Sequence, residues 1–306
     1  MSLLDKAVGA ALPAIPKPIV GFFSKRYIAG STRDDAFRVV RELRREGAMA
    51  TLDILGEFTS SPDRADANSR DYVDLIRRIA ADGLAETNVS VKLTALGLLL
   101  DEARCLEHMR SLMRAAAETN GFVRIDMEDS QCTDRTLTIY RALRKEFPGR
   151  VGVVLQARLR RTPNDVDAAT TEPANFRLCK GIYLEPRAIA YTDAQLIRDN
   201  FTWALERMFE RKAYVGIATH DEQLVFQALR LVRRFGLARE QYEFQMLLGV
   251  EEELRRILLQ AGHRMRVYVP FGEEWYAYSV RRLRESPQIA GYALKALLRR
   301  RPARTP

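Results

Sequence analysis

The sequence predicts an α/β fold, a parallel (β/α)8 barrel of the TIM type, and three observations point to it. Eight short apolar runs bounded by turn residues are predicted strands. Amphipathic stretches between them are predicted helices, so strand and helix alternate along the chain. A doubly wound open sheet competes with the barrel. That fold more often begins with a glycine-rich phosphate turn, and neither G-x-G-x-x-G nor a P-loop motif occurs here.

The eight predicted strands are rich in apolar and β-branched residues, which favour buried strands. In chain order they are Met49–Leu55, Val89–Leu93, Phe122–Ile125, Val151–Leu155, Phe176–Leu178, Tyr214–Ala218, Tyr242–Met246 and Met265–Val269.

Helical periodicity fills most intervals between the strands. The clearest predicted helices are Asp34–Gly47, Ser69–Ala81, Leu106–Thr119, Asp134–Glu146, Ala194–Arg211 and Glu222–Phe235. The fourth crossover, Arg161–Asn175, carries only a weak helical signal. We expect one domain over residues 1–306, with an N-terminal helical segment over 1–45 and a basic tail over 296–306.

The composition is that of a globular protein, since 47% of the 306 residues are hydrophobic, enough for a sizeable core. Residues 7–23 are apolar, but three prolines and a lysine interrupt them, so neither a spanning helix nor a signal peptide is predicted. A cytoplasmic location is the default expectation. Three widely spaced cysteines without clustered histidines support neither a disulfide framework nor a metal site.

The net charge of +9 raises two classes of partner, nucleic acid and an acidic membrane surface. Most of the excess is dispersed among glutamates on predicted helix faces, and no nucleic-acid-binding motif occurs, so no nucleic-acid partner is expected. The stretch Leu297–Arg304 is a dense basic cluster. Either it contacts a membrane peripherally or it is a solvated, unstructured end.

The segment from Tyr268 to Glu285 runs from a predicted strand end into a predicted helix. Spacings of three, four and seven residues place Tyr278, Arg281, Arg282 and Glu285 near one helical face. Two adjacent guanidinium groups repel each other, so this face is better suited to binding a small carboxylate than to core packing. The alternative is a solvated, salt-bridged helix face.

Polar residues lie within or just past the carboxyl end of every predicted strand, where barrels place their chemistry. They are Asp53 and Glu57, Lys92, Asp126 and Glu128, Gln156, Arg177 with Lys180 and Tyr183, Thr219 with His220, Gln245, and Tyr268. The cations among them predict an anionic ligand. Lys92 with the arginine pair suits one carboxylate. A larger anion such as a pyrophosphate suits Arg177, Lys180 and His220.

Eight ordered motifs resemble the flavin-dependent proline dehydrogenases, specifically the short bacterial monofunctional kind. The similarity spans about residues 45–290 and implies a distorted (β/α)8 barrel that binds FAD noncovalently, with a C-terminal helix carrying the arginine pair over the barrel mouth. The motifs are Asp53-Ile-Leu-Gly-Glu57, Ser90-Val-Lys-Leu-Thr-Ala-Leu96, Arg124-Ile-Asp-Met-Glu128, Gln156-Ala, Arg177-Leu-Cys-Lys-Gly-Ile-Tyr183, Ala218-Thr-His220, Tyr242-Glu-Phe-Gln-Met-Leu247 and Tyr268-Val-Pro-Phe-Gly followed by Tyr278-Ser-Val-Arg-Arg-Leu-Arg-Glu285.

The resemblance also implies a role for individual residues, although it identifies no proton acceptor. Arg281 and Arg282 are expected to bind the substrate carboxylate with help from Lys92, and Glu285 to hold the arginines in place. The substrate pocket is expected to include Asp126, Tyr183, Leu247, Tyr268 and Tyr278. A gate is expected at Glu57, which pairs with Arg281. The expected FAD contacts are Gln156, Arg177, Lys180, Thr219, His220 and Gln245.

The implied reaction is the oxidation of L-proline to Δ1-pyrroline-5-carboxylate, the first step of proline catabolism to glutamate, with electrons passed to a quinone. The sequence has no aldehyde dehydrogenase module like that of bifunctional relatives, so we expect a separate pyrroline-5-carboxylate dehydrogenase to consume the product. Three alternatives stay open at this point. They are 4-hydroxyproline as the substrate, a Schiff-base aldolase that uses Lys92 or Lys180, and a basic binding protein without catalysis.

Overall fold

A computed structural model of the protein describes residues 26–170, 174–276 and 278–279. Its eight strands match the eight predicted ones, and their ends differ from the predicted ends by no more than two residues. They are β1 (Met49–Ile54), β2 (Thr87–Val91), β3 (Val123–Ile125), β4 (Val151–Gln156), β5 (Asn175–Cys179), β6 (Tyr214–Ala218), β7 (Tyr242–Leu247) and β8 (Met265–Phe271).

The strands form a closed barrel in chain order, and every neighbouring pair is parallel. Closure comes from β8, which pairs with β1 over six residues, for example Leu52 with Val269. Because all strands point the same way, their carboxyl ends meet on one face. The predicted barrel is therefore confirmed.

Helices cover the outside of the barrel and alternate with the strands. In the described part of the chain they are α1 (Arg33–Arg45), α2 (Pro62–Ala81), α3 (Glu102–Glu118), α4 (Ser130–Glu146), α5 (Thr162–Ala169), α6 (Ala194–Glu210), α7 (Glu222–Arg234) and α8 (Glu252–Gln260). Short 3-10 turns cover Leu93–Leu96 and Arg239–Gln241. The weak fourth crossover thus does hold a helix, α5.

The helix starts follow from capping residues. Asp101, Asp129 and Asp221 accept backbone N–H groups from the first turns of α3, α4 and α7. Helix α2 begins seven residues before the predicted Ser69, because Ser61 caps it and Pro62 occupies its first turn. This polar first turn carries little hydrophobic periodicity, which is why the pattern missed it.

The core has two parts with opposite character. Between strands and helices lies one large apolar cluster, in which Leu52, Val89 and Val267 are fully buried. Inside the barrel, charged side chains replace the branched apolar residues that usually fill such interiors. Tyr268 on β8 donates to Asp126 at the end of β3, and these strands are not neighbours, so this bond crosses the interior.

Both ends of the described chain meet near the carboxyl ends of the strands. The Ala29 N–H donates to the Pro270 carbonyl at 3.0 Å, and Ile28 packs with Leu55 and Tyr278. The rest of the predicted N-terminal segment, the helix with the arginine pair and the basic tail lie outside the described residues. None of the described helices has the length and apolar character needed to cross a bilayer.

Candidate active site

Five side chains form a hydrogen-bonded group at the carboxyl end of the barrel interior, which we call the mouth cluster. Its members are Asp53, Lys92, Asp126, Arg177 and Tyr268. The first four are buried, with at most 9% of each residue exposed. The structure therefore brings together four residues predicted for the site and adds Asp53, which the sequence placed at the strand ends without a role.

Lys92 lies among three carboxylates. Its Nζ is 2.8 Å from Asp53 Oδ2, 3.8 Å from Asp126 Oδ2 and 3.9 Å from Glu57 Oε1, and it also donates to the Tyr268 hydroxyl. Burial alone would lower the pKa of Lys92, but the charges of these carboxylates outweigh burial and raise it. The charged form of Lys92 is therefore favoured.

This environment counts against the Schiff-base aldolase. A nucleophilic lysine needs a depressed pKa so that its amine is neutral, and the pKa of Lys92 is shifted the other way. The other candidate, Lys180, is not buried in an apolar site. Its side chain is 41% exposed and its Nζ lies 3.0 Å from Asp221 Oδ2.

Asp126 joins the two cations of the mouth cluster. Its Oδ1 accepts from Arg177 Nη1 at 2.6 Å and from Ser90 Oγ at 2.9 Å, while its Oδ2 accepts from Tyr268 at 2.8 Å. Burial would raise the pKa of Asp126, but the charges of Arg177 and Lys92 and these hydrogen bonds lower it. Asp126 is therefore ionised and holds Arg177 in place.

Arg177 is held on two edges of its guanidinium group and not on the third. Nη1 donates to Asp126 and Ser90, and Nε donates to Gln245 Oε1. Nη2 is buried and has no hydrogen-bond partner among the described residues. Buried guanidinium nitrogens without an acceptor are costly. Nε of Arg124 and two nitrogens of Arg255 also lack a partner among the described residues, but Arg177 lies at the mouth, where a ligand can supply the acceptor.

The β4 side of the mouth carries Gln156 and Glu128. The Gln156 amide donates to the Glu128 carbonyl at 2.7 Å, and the Glu128 carboxylate accepts from the backbone N–H and the hydroxyl of Thr94. Burial raises the pKa of Glu128 to about 7, since the hydrogen bonds from Thr94 only partly compensate. Glu128 thus ties the turn after β2, which follows Lys92, to the end of β3.

The β6 and β7 ends place the remaining predicted cofactor contacts. Thr219 is buried, its N–H donates to the Gln245 carbonyl at 3.2 Å, and Gln245 is buried beside it. His220 Nε2 accepts from the N–H of Leu247 at 2.8 Å, which fixes the imidazole as an acceptor at that nitrogen. Lys180, predicted to share an anion with Arg177 and His220, instead pairs with Asp221, which also accepts from Arg198 at 2.7 Å.

The remaining predicted pocket and gate residues lie on loops and at the end of the described chain. Tyr183 lies partly buried in the loop after β5, and Tyr278 is buried beside Leu55. Glu57 lies near Lys92, and its side chain is 8% exposed. Arg281, Arg282 and Glu285 lie outside the described residues, so the pairing of Glu57 with Arg281 stays a prediction.

Sequence reasoning gave no role to a second group, deeper in the barrel, which we call the floor cluster. It consists of Tyr214, Glu243 and Arg266. Arg124 lies buried beside it and donates only to neutral oxygens, among them the Asn175 carbonyl at 2.9 Å. The signal was available in the sequence, because Arg124, Glu243 and Arg266 are charged residues inside otherwise apolar runs.

Comparison with known families decides what this barrel belongs to. Residues 36–292 match the family model described as proline dehydrogenase. The chain belongs to the proline dehydrogenase family. The resemblance read from the eight motifs is thereby confirmed, over a range slightly longer than the motifs indicated.

Curated relatives agree with this assignment. Proline dehydrogenase 1 of Bacillus subtilis subsp. natto is 36% identical over 277 residues, which cover 90% of this chain and 91% of the relative. Proline dehydrogenase of Deinococcus radiodurans is 35% identical over 280 residues, 90% of each chain. These members of the proline dehydrogenase family match this chain over nearly their full length.

Solved structures support the fold. Proline utilization A (PutA) from Bdellovibrio bacteriovorus, inactivated by N-propargylglycine, superposes with a TM-score of 0.81 at 28% identity and is matched over 86% of this chain and 32% of its own. PutA from Bradyrhizobium japonicum gives a TM-score of 0.73 at 20% identity, over 85% and 30%, and supports the fold alone. The chain spans about a third of these PutA proteins.

Proposed function

We propose that this member of the proline dehydrogenase family oxidises L-proline to Δ1-pyrroline-5-carboxylate with FAD as its cofactor and a quinone as the electron acceptor. The family match and the relatives named proline dehydrogenase support proline as the substrate. The observation that carries the proposal is the mouth cluster, in which Arg177 is clamped by Asp126 and Gln245 and keeps Nη2 for a ligand.

The residues present suit a flavin nucleotide. A flavin ring offers carbonyl and ring-nitrogen acceptors, and its pyrophosphate is anionic, so the matching protein groups are cations and amide donors. Arg177 with its unpartnered Nη2 suits an acceptor on the ring, and the half-exposed Lys180 suits a phosphate. We assign Gln156, Thr219, His220 and Gln245 to the same cofactor, on the resemblance and on their places at the strand ends.

Substrate binding is assigned to a second set of residues. The carboxylate of proline is assigned to Arg281 and Arg282, with Glu285 holding them, and its ring to the pocket of Tyr183, Leu247, Tyr268 and Tyr278. Lys92 has its charge compensated by Asp53, Asp126 and Glu57, so it contributes to the carboxylate site by holding these acids and Tyr268 in place. Such positioning is worth several kcal/mol of a reaction barrier.

When bound, FAD would supply the redox chemistry, as the hydride acceptor for the proline ring carbon next to nitrogen. The protein orients that carbon and excludes water. Asp126 does not serve as the proton acceptor in this proposal, because its lowered pKa and its three donors make it a weak base. The amine binds neutral or loses its proton to solvent.

The visible absorbance spectrum, recorded without oxygen before and after L-proline is added, tests cofactor and substrate together. We expect a flavin spectrum that bleaches on addition. A flavin that does not bleach would reject proline as the substrate. The same experiment with 4-hydroxyproline would then test that compound as the alternative substrate. A colourless protein that cannot be reconstituted with FAD would reject the cofactor.

The arginine pair is tested by Arg282→Met. Loss of a bidentate contact to a carboxylate costs on the order of 3 kcal/mol, so the apparent KM for proline should rise about a hundredfold while flavin content stays near normal. Arg234→Met, on the exposed side of α7, is the matched control and should change neither quantity. Near-native proline kinetics in Arg282→Met would reject the assignment.

Partners follow from the same proposal. A quinone acceptor lies in a membrane, so we propose that the chain touches the membrane surface peripherally through its basic tail at 296–306. Liposome co-sedimentation of the full chain and of a chain ending at residue 295 tests this. Equal sedimentation would reject the tail as the contact. The product leaves for a separate pyrroline-5-carboxylate dehydrogenase.

A further inference from the structure

A continuous chain of hydrogen bonds connects the floor of the barrel interior with its mouth. Arg266 Nε donates to Glu243 Oε1 at 2.7 Å, and Gln245 Nε2 donates to the same oxygen at 2.5 Å. Gln245 Oε1 in turn accepts from Arg177 Nε, and Arg177 Nη1 donates to Asp126 at 2.6 Å. The floor cluster is therefore coupled to the mouth cluster by one amide side chain.

Glu243 is the fixed end of this chain. Its carboxylate accepts from both Nε and Nη2 of Arg266, from the Tyr214 hydroxyl at 2.8 Å and from Gln245, while only 1% of the residue is exposed. Burial would raise the pKa of Glu243, but the charge of Arg266 and these hydrogen bonds outweigh it and lower the pKa to about 2. Glu243 is thus held in its carboxylate form.

The amide of Gln245 has one donor end and one acceptor end, and its neighbours accept only one orientation. Glu243 is a pure acceptor and requires the amide nitrogen, whereas Arg177 is a pure donor and requires the carbonyl oxygen. The reversed amide would place its N–H groups against a guanidinium and its carbonyl against a carboxylate. Glu243 and Arg177 therefore select the same orientation, in which the carbonyl faces Arg177 and the amide nitrogen is anchored by Glu243.

Gly216 leaves the space that this arrangement needs. It lies opposite Glu243 in the register of β6 and β7, and a Cβ at this position would lie 2.3 Å from Gln245 Nε2. Such a distance is well inside van der Waals contact, so any larger residue would displace the amide. The absence of a side chain at Gly216 thus leaves the room that the Gln245 amide occupies.

We infer that Glu243 is a positioning residue for Arg177, although it lies at the floor and does not reach the mouth cluster itself. Its carboxylate anchors the nitrogen of the Gln245 amide, and the amide carbonyl holds Nε of Arg177 so that Nη2 stays available to the cofactor. This inference rests on the proposed function, because it takes the acceptor for Nη2 to be the flavin.

The test is the midpoint potential of the bound flavin in the double variant Glu243→Met/Arg266→Met. Removing one charge of each sign leaves the net charge unchanged, so the direct field on the flavin stays nearly the same. Without Glu243 the Gln245 amide is no longer anchored, so Arg177 is held firmly only by Asp126. The negative charge gained on flavin reduction is then less stabilised, and the midpoint potential falls. We expect reduced flavin to bind about tenfold more weakly relative to oxidised flavin, about 30 mV for a two-electron couple.

A mutant cycle separates positioning from a structural effect. In a Gln245→Met background the two Met substitutions should cause no further shift, because the connecting amide is already gone. Tyr214→Phe is the matched control, since it removes one hydrogen bond to Glu243 but leaves Gln245 anchored, and its potential should equal that of the unaltered protein. An unchanged potential in the double variant, or an equal shift in both backgrounds, would overturn the inference.

Gly216→Ala provides an independent variant should the double variant not fold. It crowds the Gln245 amide without altering any charge, and the potential should fall in the same direction. Two results together would reject the role of Glu243 and keep the proposed function. The flavin of the unaltered protein bleaches with proline, and the midpoint potential of Gly216→Ala equals that of the unaltered protein. A protein without flavin would reject both.

Discussion

The floor cluster and the mouth cluster both bury charges, but only the floor cluster satisfies all of its own buried polar atoms among the described residues, although Nε of the neighbouring Arg124 also lacks a partner there. At the floor, Glu243 has four donors from three residues, and Arg266 also donates to the carbonyls of Ala50 and Glu86. At the mouth, Arg177 keeps a buried Nη2 without a partner among the described residues. Among the described residues, the floor cluster therefore has no buried donor or acceptor left for a ligand, whereas the mouth cluster retains one donor in Nη2 of Arg177.

The largest change in the free energy of unfolding is expected from a substitution in the floor cluster. Arg266→Met leaves Glu243 as a buried, unpaired carboxylate, so the free energy of unfolding should fall by about 3–5 kcal/mol. Glu243→Met/Arg266→Met removes both charges and should recover most of that loss. Urea unfolding of the two variants measures this. A double variant as unstable as the single one would show that the ion pair is not the cause.

Glu128, at the edge of the mouth, should give a pH-dependent stability. Its pKa is raised to about 7 in the folded protein against 4.5 in a model peptide, so the folded state binds more protons between these values. The free energy of unfolding should therefore fall as pH rises from about 4.5 to about 7, by roughly 3 kcal/mol in all. Glu128→Gln should remove this slope.

Urea unfolding at pH 5 and pH 8 measures the contribution of Glu128. The matched control is Glu253→Gln on the exposed surface of α8, which should keep the slope of the unaltered protein. Parallel slopes in Glu128→Gln and Glu253→Gln would mean that other groups cause the pH dependence.

A substitution in the mouth cluster should affect catalysis more than the free energy of unfolding. Asp126→Asn weakens the hold on Arg177 and Tyr268 together, and kcat/KM for proline should fall about a hundredfold, which is about 2.7 kcal/mol of transition-state stabilisation. Ser90→Ala removes only a neutral hydrogen bond to the same carboxylate and should cost less than about tenfold. Steady-state kinetics compare the two, and equal losses would contradict a special role for the charge of Asp126.

The smallest change in stability is expected at the rim, where Lys180 is partly exposed. Lys180→Met breaks its ion pair with Asp221, yet the free energy of unfolding should change by less than about 1 kcal/mol, because Arg198 still pairs with Asp221. The affinity for FAD should fall, and by less at high salt. Arg211→Met, in a surface pair with Asp167, should leave FAD affinity unchanged. Equal FAD affinities for Lys180→Met and the unaltered protein would remove Lys180 from the site.

Much of the fold was predictable because hydrophobic runs report buried strands directly. All eight strands and the six clearest helices were predicted from patterns a few residues long. The start of α2 was not, because Ser61 and Pro62 act through capping and not through hydrophobic periodicity. The site was predictable only as a set of residue types at strand ends. Lys92 was expected to bind a substrate carboxylate, and the spacing gave no hint that three protein carboxylates surround it.

The sequence by itself determined the number and order of the strands, six of the helices and the residues at the carboxyl ends of the strands, because propensity and periodicity act within one element. Tertiary structure alone decided which charges neutralise each other. Asp126 and Tyr268 are 142 residues apart and Glu243 and Arg266 are 23 apart. Barrel closure and strand register bring these pairs together, and they leave one nitrogen of Arg177 for a ligand.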